Sequence, residues 1–572
     1  MTRMRHVAVS GAFVLLLTLG CGETDSTAGE GAVRDPTPQV GALHPERLSP
    51  WPLDSCAQAS PLVVHLRGGP HLLVAPGSGR LVAFDLERGV EAWALVLETP
   101  EGRIGWPVAT PVADGRRLFV AFQTLGERGM REGHFVAVVD LETGALDPAF
   151  SLVELAASRR NADDTADVAF VPRQALSRSE LKLGKTRTNP EGLLYVAFGN
   201  PRDIQPWHGW VFELDVARWR TQGARGAVSS VLLTTPESEC PVEGQSGSMD
   251  TICGGGVWAP GGPLLHPRGG TFELFVPTGN GQLDIPRGDF ANTLMRTGPG
   301  LDFESGCDAA RCTPFDPADP SPACLESCAN LFVPRLAPGD APLRMADGAC
   351  DGKSLLECYA LHDYDLGANA PVRVETASGR ALLALPGKDG ALYLIDAGHL
   401  SRLHARAVVT EPCGAPGDPC RDAWAGMMAT EPVVATLDGD PLLVVTSFVR
   451  DRTHPAGLAA YRVEDGDPAA LHLVWRAPPH GDPEAVSRFR TWPGRPVLHE
   501  VDGTPYVIVV DVDDAGGPAT MLLVRLRDGA IAARVQLAGR GRRFVQPVVH
   551  ADVAYTISCD PHRLERVRLR SP

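Results

Sequence analysis

The sequence predicts an all-β fold, an eight-bladed β-propeller of four-stranded antiparallel blades, from three observations. First, the chain has 61 glycines and 50 prolines among 572 residues, a composition that suits short strands joined by tight turns better than a helical bundle. Second, an apolar strand that opens on proline recurs eight times. Third, each copy continues through further apolar strands into a polar turn, giving about four strands per unit.

The repeat unit begins with the proline-opened strand and contains an acidic turn near its end. A third strand runs into a D-x-x-x-G turn, as at Asp85 and Asp140. Repetition at about 50 to 100 residues is typical of a propeller, whereas the alternative fold, a pair of β-sandwiches, would not repeat so regularly. The eight proposed openings are Pro61, Pro111, Pro172, Pro263, Pro371, Pro432, Pro496 and Pro547, of which Pro172 is the weakest.

The chain divides into three predicted parts. Residues 1–20 have the pattern of a signal peptide, since Arg3 and Arg5 precede an apolar run that is too short to cross a bilayer. Residues 21–50 form a predicted flexible tether, rich in glycine, threonine and acidic residues. Residues 51–572 form the predicted propeller, with large insertions expected between about 172 and 371.

The signal ends in Leu-Thr-Leu-Gly-Cys, which resembles a bacterial lipobox, although Thr18 stands where that motif usually has leucine. The resemblance implies lipidation of Cys21. Gly22, rather than aspartate, implies an outer-membrane lipoprotein that faces the periplasm or the cell exterior. The alternative is an ordinary secretory signal followed by a chance cysteine.

The other twelve cysteines indicate up to six disulfides in an oxidising compartment. Cys56 and Cys559 lie near opposite ends of the propeller and would close its ring. The pairing among Cys307, Cys312, Cys324 and Cys328 is left open. Short spacing predicts three local pairs: Cys240 with Cys253, Cys350 with Cys358, and Cys413 with Cys420.

The charge of the chain argues against a nucleic-acid partner, and its motifs argue against a covalent haem. The formal net charge of −16 argues against a nucleic-acid partner, which requires a cationic face. The sequence has no C-x-x-C-H motif, so no covalent haem is expected.

Four segments in the middle of the chain carry a resemblance to a known family. In their order and content they resemble the site segments of the eight-bladed quinoprotein dehydrogenases, which bind pyrroloquinoline quinone (PQQ), and most closely the polyvinyl-alcohol-dehydrogenase-like branch. The likeness in fold covers about residues 55 to 570. The four segments are GGGVW at 254–258, PTGNG at 277–281, DYDLGA at 363–368 and GKDGALY at 387–393.

The resemblance implies a role for each candidate residue. Trp258 would stack beneath the quinone, and Lys388 would contact its carbonyl oxygens. Asn280 would bind calcium, with Asp365 as a further ligand and as the catalytic base. Asp203 would replace the glutamate that binds calcium in the family, with a shorter side chain.

Each candidate also has a purely structural interpretation. Trp258 could be a packing residue, Asn280 could serve a turn, Asp365 could cap a turn and Lys388 could be a solvated turn residue. The sequence also lacks the vicinal cysteine pair that many members of the family carry beside the quinone. Without haem, an enzyme of this kind would need an external electron acceptor.

Two functions therefore remain open from the sequence. One is a divergent PQQ- and calcium-dependent dehydrogenase that oxidises an alcohol-type substrate outside the cytoplasm. The other is a cofactor-free propeller lipoprotein, similar to the scaffolds of outer-membrane assembly, that binds a protein or glycan partner on one face. Convergence of Trp258, Asn280, Asp365 and Lys388 on the central channel would favour the dehydrogenase.

Overall fold

The structure, a computed structural model, is an all-β propeller of eight antiparallel blades, which confirms the predicted fold. It describes residues 43–161, 165–200, 207–238, 254–336, 352, 354–361, 363–410, 428–448, 456–479, 489, 492–513 and 516–570.

Blades 1 to 4 follow one another along the first part of the chain. Their strands, from the innermost outward, are as follows. Blade 1 has Leu62–Leu66, Gly69–Val74, Arg80–Asp85 and Val90–Val96. Blade 2 has Val112–Asp114, Arg117–Leu125 and Arg131–Asp140, with Ala145–Leu146 and Val153–Glu154 outermost. Blade 3 has Lys182–Gly184, Leu193–Phe198, Trp210–Asp215 and Val228–Leu233. Blade 4 has Leu264–Arg268, Thr271–Pro277, Leu294–Thr297 and Leu331–Phe332.

Blades 5 to 8 complete the ring. Blade 5 has Val372–Glu375, Ala381–Pro386, Ala391–Asp396 and Leu403–Val408. Blade 6 has Val433–Leu437, Asp440–Ser447, Gly457–Glu464 and Ala470–Ala477. Blade 7 has Val497–Val501, Thr504–Val512, Thr520–Arg525 and Ile531–Gln536. Blade 8 has Val548–His550, Val553–Cys559 and Arg563–Arg568, with Glu46–Arg47 and Trp51–Pro52 outermost.

Short elements decorate the blades. Three two- or three-residue strands lie before the innermost strands: Gly105–Pro107, Trp492–Pro493 and Arg540–Gly541. Two small hairpins pair Ser158–Arg160 with Asp167–Ala169 and Leu283–Asp284 with Asp289–Phe290. Within the described ranges, the α-helices are Val216–Gln222, Ala224–Ala227, Pro322–Ser327 and Leu355–Leu361, and the 3₁₀ turns are Glu127–Gly129, Pro172–Gln174 and Ile285–Arg287. Among the described residues, no helix has the length and apolar character needed to cross a membrane.

The middle strands of each blade form the core. Leu118 to Phe122 are all buried, as are Leu382 to Pro386, because a blade packs against a neighbour on both of its faces. Strands covered on both faces are continuously apolar rather than alternating. This burial explains why the repeat stands out in the sequence.

Seven of the eight prolines lie one residue before an innermost strand, as predicted for the repeat. Pro61 precedes Leu62–Leu66, for example, and Pro547 precedes Val548–His550. The prediction for the eighth, Pro172, is wrong. Pro172 starts a 3₁₀ turn, and the innermost strand of blade 3 begins at Lys182. A proline fits the first position of such a turn, because the N–H that it lacks has no partner there.

The acidic turns hold the third and fourth strands together. Asp85 Oδ1 accepts hydrogen bonds from the backbone N–H groups of Glu87 and Arg88, each at 2.9 Å. Asp140 Oδ1 accepts one from Glu142 N at 2.9 Å. The turn glycine Gly89 has a φ of 71°, a conformation that favours glycine.

The two ends of the described chain meet in blade 8. Glu46–Arg47 and Trp51–Pro52 both pair antiparallel with Arg563–Arg568. Glu46 falls within the predicted tether of residues 21–50, so the sheet-forming chain begins earlier than the sequence suggested. The expected disulfide between Cys56 and Cys559 is present and links residues 503 positions apart. In the chain-entropy model a loop of this length is worth about 6 kcal/mol, while measured disulfides typically contribute about 2–4 kcal/mol.

The open cysteine pairing is resolved inside blade 4, where a long connection precedes the outermost strand. Cys307 pairs with Cys328, and Cys312 pairs with Cys324 at the helix Pro322–Ser327. Cys358 is also disulfide-bonded. The other cysteines of the predicted local pairs, and the predicted lipidation site, lie outside the described residues: Cys21, Cys240, Cys253, Cys350, Cys413 and Cys420.

A layer of charged and polar side chains crosses the central channel, and we call it the channel layer (Ser60, Glu180, Glu431 and Arg495). Arg495 Nε lies 2.7 Å from Glu431 Oε2, and its Nη2 lies 3.6 Å from Glu180 Oε2. Its Nη1 donates to Ser60 Oγ at 3.5 Å. These residues lie just before the innermost strands of blades 1, 3, 6 and 7. Because blades 3 and 7 are opposite each other in a ring of eight, Arg495 spans the axis.

Candidate functional site

The four segments predicted from the sequence come together in blades 4 and 5. Gly279 N donates to Gly256 O at 2.8 Å, and Lys388 N donates to Asp365 O at 3.4 Å. These backbone contacts place Trp258, Asn280, Asp365 and Lys388 in one cluster. With Asp363, which the structure adds, they make up what we call the Trp258 site.

The Trp258 site faces the central channel. The Trp258 ring lies 6.1 Å from the ring of Phe544, centroid to centroid, with the planes at 80°. Phe544 lies before the innermost strand of blade 8, which is opposite blade 4 in the ring. A contact between opposite blades occurs at the axis, so the Trp258 ring lies at the central channel.

Buried charges dominate the site. Lys388 Nζ lies 2.8 Å from Asp363 Oδ2 and 3.5 Å from Asp365 Oδ1, and the Lys388 side chain is only 2% exposed. The Trp258 indole N–H donates to Asp365 Oδ2 at 3.2 Å. Lys388 Nζ also lies 4.9 Å from the centroid of the Trp258 ring. Burying such ions costs more than burying apolar residues of similar size, so packing alone does not account for this cluster.

Asp363 is the main residue of the site that sequence reasoning missed. Its Oδ1 accepts a hydrogen bond from Asn280 Nδ2 at 2.9 Å, and its φ of 58° is unusual for a residue other than glycine. Strained backbone of this kind concentrates at functional positions. In the sequence, the presence of two carboxylates in the Asp363-Tyr364-Asp365 motif could have indicated that Asp363 belongs to the site.

Glycines allow the segments of the site to approach each other closely. A Cβ at Gly279 would lie 3.1 Å from Asp365 Oδ2 and 3.4 Å from Trp258 Nε1. A Cβ at Gly254, whose φ is 69°, would lie 2.0 Å from Asn280 O. The glycine-rich character of both motifs therefore has a steric cause at the site itself.

A buried network beside the site positions the loop that carries the carboxylates. Asp389 Oδ2 accepts hydrogen bonds from the hydroxyls of Tyr359 and, at 2.6 Å, Tyr393. Arg406 Nη2 lies 3.2 Å from the same oxygen. Burial, and then the charge of Asp389, raise the pKa values of both tyrosines, which keeps them protonated as donors. Tyr359 lies in the helix Leu355–Leu361, so the network anchors the chain just before Asp363.

The donor set of the site fits a hard cation. Asn280 Nδ2 must face Asp363, because reversing the amide would place two acceptors together. The Asn280 Oδ1 that results is buried and has no hydrogen-bond partner, which is unfavourable by about 1–3 kcal/mol. Oxygen atoms of amides and carboxylates are the ligands that calcium prefers. Asn280, Asp363 and Asp365 would therefore hold the cation, while Asp203 lies outside the described residues.

The surroundings of Trp258 also fit a planar, electron-poor ligand. The indole offers an aromatic surface, and two cations border it: Lys388 Nζ and, at 5.8 Å, the guanidinium of Arg178. Cations beside the ring would stabilise negative charge that develops on quinone oxygens. The site therefore presents an indole surface beside a buried ammonium group.

Comparisons with known proteins show likeness in fold. No protein-family model matches the chain, and no curated protein sequence matches it. A europium-containing methanol dehydrogenase is 11% identical, with 90% of this chain and 85% of that chain covered and a TM-score of 0.51. The quinohemoprotein alcohol dehydrogenase from Comamonas testosteroni is 11% identical, covering 93% and 77% of the two chains with a TM-score of 0.47.

BamB from Moraxella catarrhalis is 13% identical, with 91% of this chain and 97% of that chain covered and a TM-score of 0.43. At these identities a structural likeness concerns the fold, and of these three structures the methanol dehydrogenase has a TM-score above 0.5. The chain therefore has the β-propeller fold of that methanol dehydrogenase.

Proposed function

We propose that the protein is a quinoprotein-like dehydrogenase that binds PQQ and a hard cation at the Trp258 site and oxidises an alcohol. The observation that carries this proposal is the buried cluster of Lys388, Asp363 and Asp365 against Trp258 in the channel. Burying these charges is costly, and buried ionisable groups that face a cleft are concentrated at functional sites.

Each residue of the site would have its own role in the proposed reaction. When bound, PQQ would accept the hydride of the alcohol, and the cation would polarise its carbonyl group. Asp365 is positioned by the Trp258 N–H and would accept the proton of the substrate hydroxyl. Lys388 places its positive charge where the reduced cofactor becomes anionic. An external acceptor would then take the two electrons.

Calorimetric titration of the purified protein with PQQ tests this function. We expect binding at millimolar calcium and none after chelation, because the cation would bind oxygen atoms of the cofactor as well as those of the site. The methanol dehydrogenase that shares the fold contains europium, another oxygen-seeking cation, so europium is titrated beside calcium. Trp258→Ala should weaken PQQ binding by about tenfold or more, through lost stacking area.

Trp93→Ala is the matched control. Trp93 is also partly buried and also uses its indole N–H, which donates to Leu141 O at 2.9 Å, but it lies between blades 1 and 2. This variant should bind PQQ as the parent does. Absence of PQQ binding with either cation would refute the proposal and favour a cofactor-free scaffold that binds a protein or glycan.

We further propose that Cys21 anchors the protein in the outer membrane through its lipid. The proposal is supported by the signal-like segment that ends at Gly20-Cys21. Three acyl chains would hold the protein far more firmly than a single chain, which binds only marginally. We expect Cys21→Ala to move the protein from the membrane fraction to the soluble fraction. A variant that still sediments with membranes in high salt would contradict the anchor.

A further inference from the structure

A second feature of the channel is a pocket of about 500 Å³ that adjoins the Trp258 site. We call it the arginine pocket. Its volume is in the range of small-molecule sites. The residues that define it are Arg178, Arg540, Arg542, Arg543, Trp492 and Phe544.

The charge of the arginine pocket is opposite to that of the whole chain. Four guanidinium groups line it against two carboxylates, those of Asp513 and Asp560. Arg540 lies 3.9 Å from Asp560, which neutralises one of the four. The whole protein carries a net charge of −16. A positive concavity in an acidic protein concentrates anions.

Arg178 is the guanidinium best placed to receive an anion. It lies 4.8 Å from the centroid of the Phe544 ring and 5.8 Å from that of Trp258. Within the described part of the chain it has no carboxylate partner. Burial, followed by the nearby charges of Arg131 and Arg543, lowers the pKa of Arg178 to about 10. A guanidinium in such surroundings gains strongly from a carboxylate, which it can bind in a bidentate manner.

The aromatic wall of the pocket is held rigid by its own packing. Trp492 stacks on Phe448 with the ring centroids 3.9 Å apart, and Arg543 covers it at 4.0 Å. Phe544 meets Trp492 edge to face at 6.0 Å. A ligand body placed against Phe544 would lose little free energy to side-chain ordering, since these rings are already fixed.

We propose that the arginine pocket binds a small organic anion, with a carboxylate of the ligand on Arg178 and its apolar body against Phe544. Arg178 also borders the proposed quinone-stacking surface of Trp258. The proposed dehydrogenase function assigns no anion to the arginine pocket, however, and binding there does not require PQQ.

Calorimetric titration with a matched pair of probes tests the proposal on the full chain without PQQ. The probes are 4-(hydroxymethyl)benzoate and benzyl alcohol, which differ by one carboxylate. We expect the anion to bind at least about tenfold more tightly, and Arg178→Gln to remove that difference, because the loss of a desolvated charge partner is large. Arg178→Lys should retain part of it. Added salt should weaken binding of the anion more than binding of the alcohol.

Arg566→Gln is the control variant. Arg566 also covers an aromatic ring, that of Trp51 at 4.2 Å, but it lies in the third strand of blade 8 and does not line the pocket. It should leave probe binding unchanged. Equal affinity for the two probes, or unchanged affinity in Arg178→Gln, would overturn the proposal whether or not the protein binds PQQ.

PQQ itself carries carboxylates, so the titration is repeated with PQQ and calcium present. Displacement of the probe by PQQ would show that the arginines hold carboxylates of the cofactor. Undisturbed binding of the probe would show that they hold a separate anion, such as a carboxylate-bearing substrate. Both results support an anion site at Arg178.

Discussion

Replacing Arg495 by alanine should destabilise the propeller by about 3–5 kcal/mol, which is the usual cost of removing one partner from a buried ion pair. Arg495 is 5% exposed and lies between Glu431 and Glu180. Without it, Glu431 loses its ion-pair partner, while Glu180 keeps Lys182, whose Nζ lies 3.2 Å from Glu180 Oε1. The measurement is the shift in thermal midpoint by differential scanning calorimetry at neutral pH.

Arg527→Ala provides the comparison. Arg527 Nη2 lies 3.4 Å from Asp438 Oδ1, so this pair also joins two blades, but its side chains are 71% and 61% exposed. Exposed pairs are worth at most about 1 kcal/mol. Adding Glu431→Ala to Arg495→Ala should recover part of the stability, because it removes one uncompensated charge. Equal midpoints for Arg495→Ala and Arg527→Ala would show that the channel layer does not stabilise the ring.

Asp365→Asn should reduce turnover of an alcohol substrate by about 10²- to 10⁴-fold, the usual contribution of a positioned general base. Asparagine keeps the shape of the side chain and can still accept the hydrogen bond of Trp258, but it cannot take up the substrate proton. Binding of PQQ with calcium should therefore change much less than the rate. Dye reduction and calorimetry on the same preparation separate the two effects.

Asp289→Asn is the matched control for a buried carboxylate. Asp289 is fully buried and accepts a hydrogen bond from Glu237 N at 2.8 Å, but it lies in a hairpin outside the site. This variant should keep the parental rate. If Asp365→Asn turned over substrate like the parent protein, Asp365 would not be the base.

The fold could be predicted from the sequence because its repeat unit follows from packing. Middle strands covered on both faces require continuous apolar runs, such as Leu118 to Phe122, and each turn requires particular residues, such as Asp85 and Gly89. Pro172 is the exception because the innermost strand of blade 3 has no proline directly before it. A strand does not require a proline at that position, so the sequence pattern could not show this. The extent of blade 8 was underestimated because a strand of two residues, Glu46–Arg47, has no recognisable pattern.

The site could be predicted only where its residues belong to the four motifs. Asp363 lies in one of these motifs, but its contacts with Asn280 and Lys388 join segments that are distant in the chain. Arg178 lies outside all four motifs, and its segment does not specify its contacts. Arg178, Trp492 and Phe544 do share one feature: each lies a few residues before an innermost strand. That repeat position faces the channel, so comparing it among the units would have indicated the arginine pocket.

The pairing of Glu46 with Arg568 determines when blade 8 can form during synthesis of the chain. These partners are 522 residues apart, so Glu46–Arg47 stays without its sheet until Arg568 has been made. Contacts of such separation form slowly. Until then the strands of blade 8 are incomplete, and unpaired strand edges are surfaces on which unfinished chains aggregate. A nascent chain of this protein therefore needs protection until the strands of blade 8 have been made.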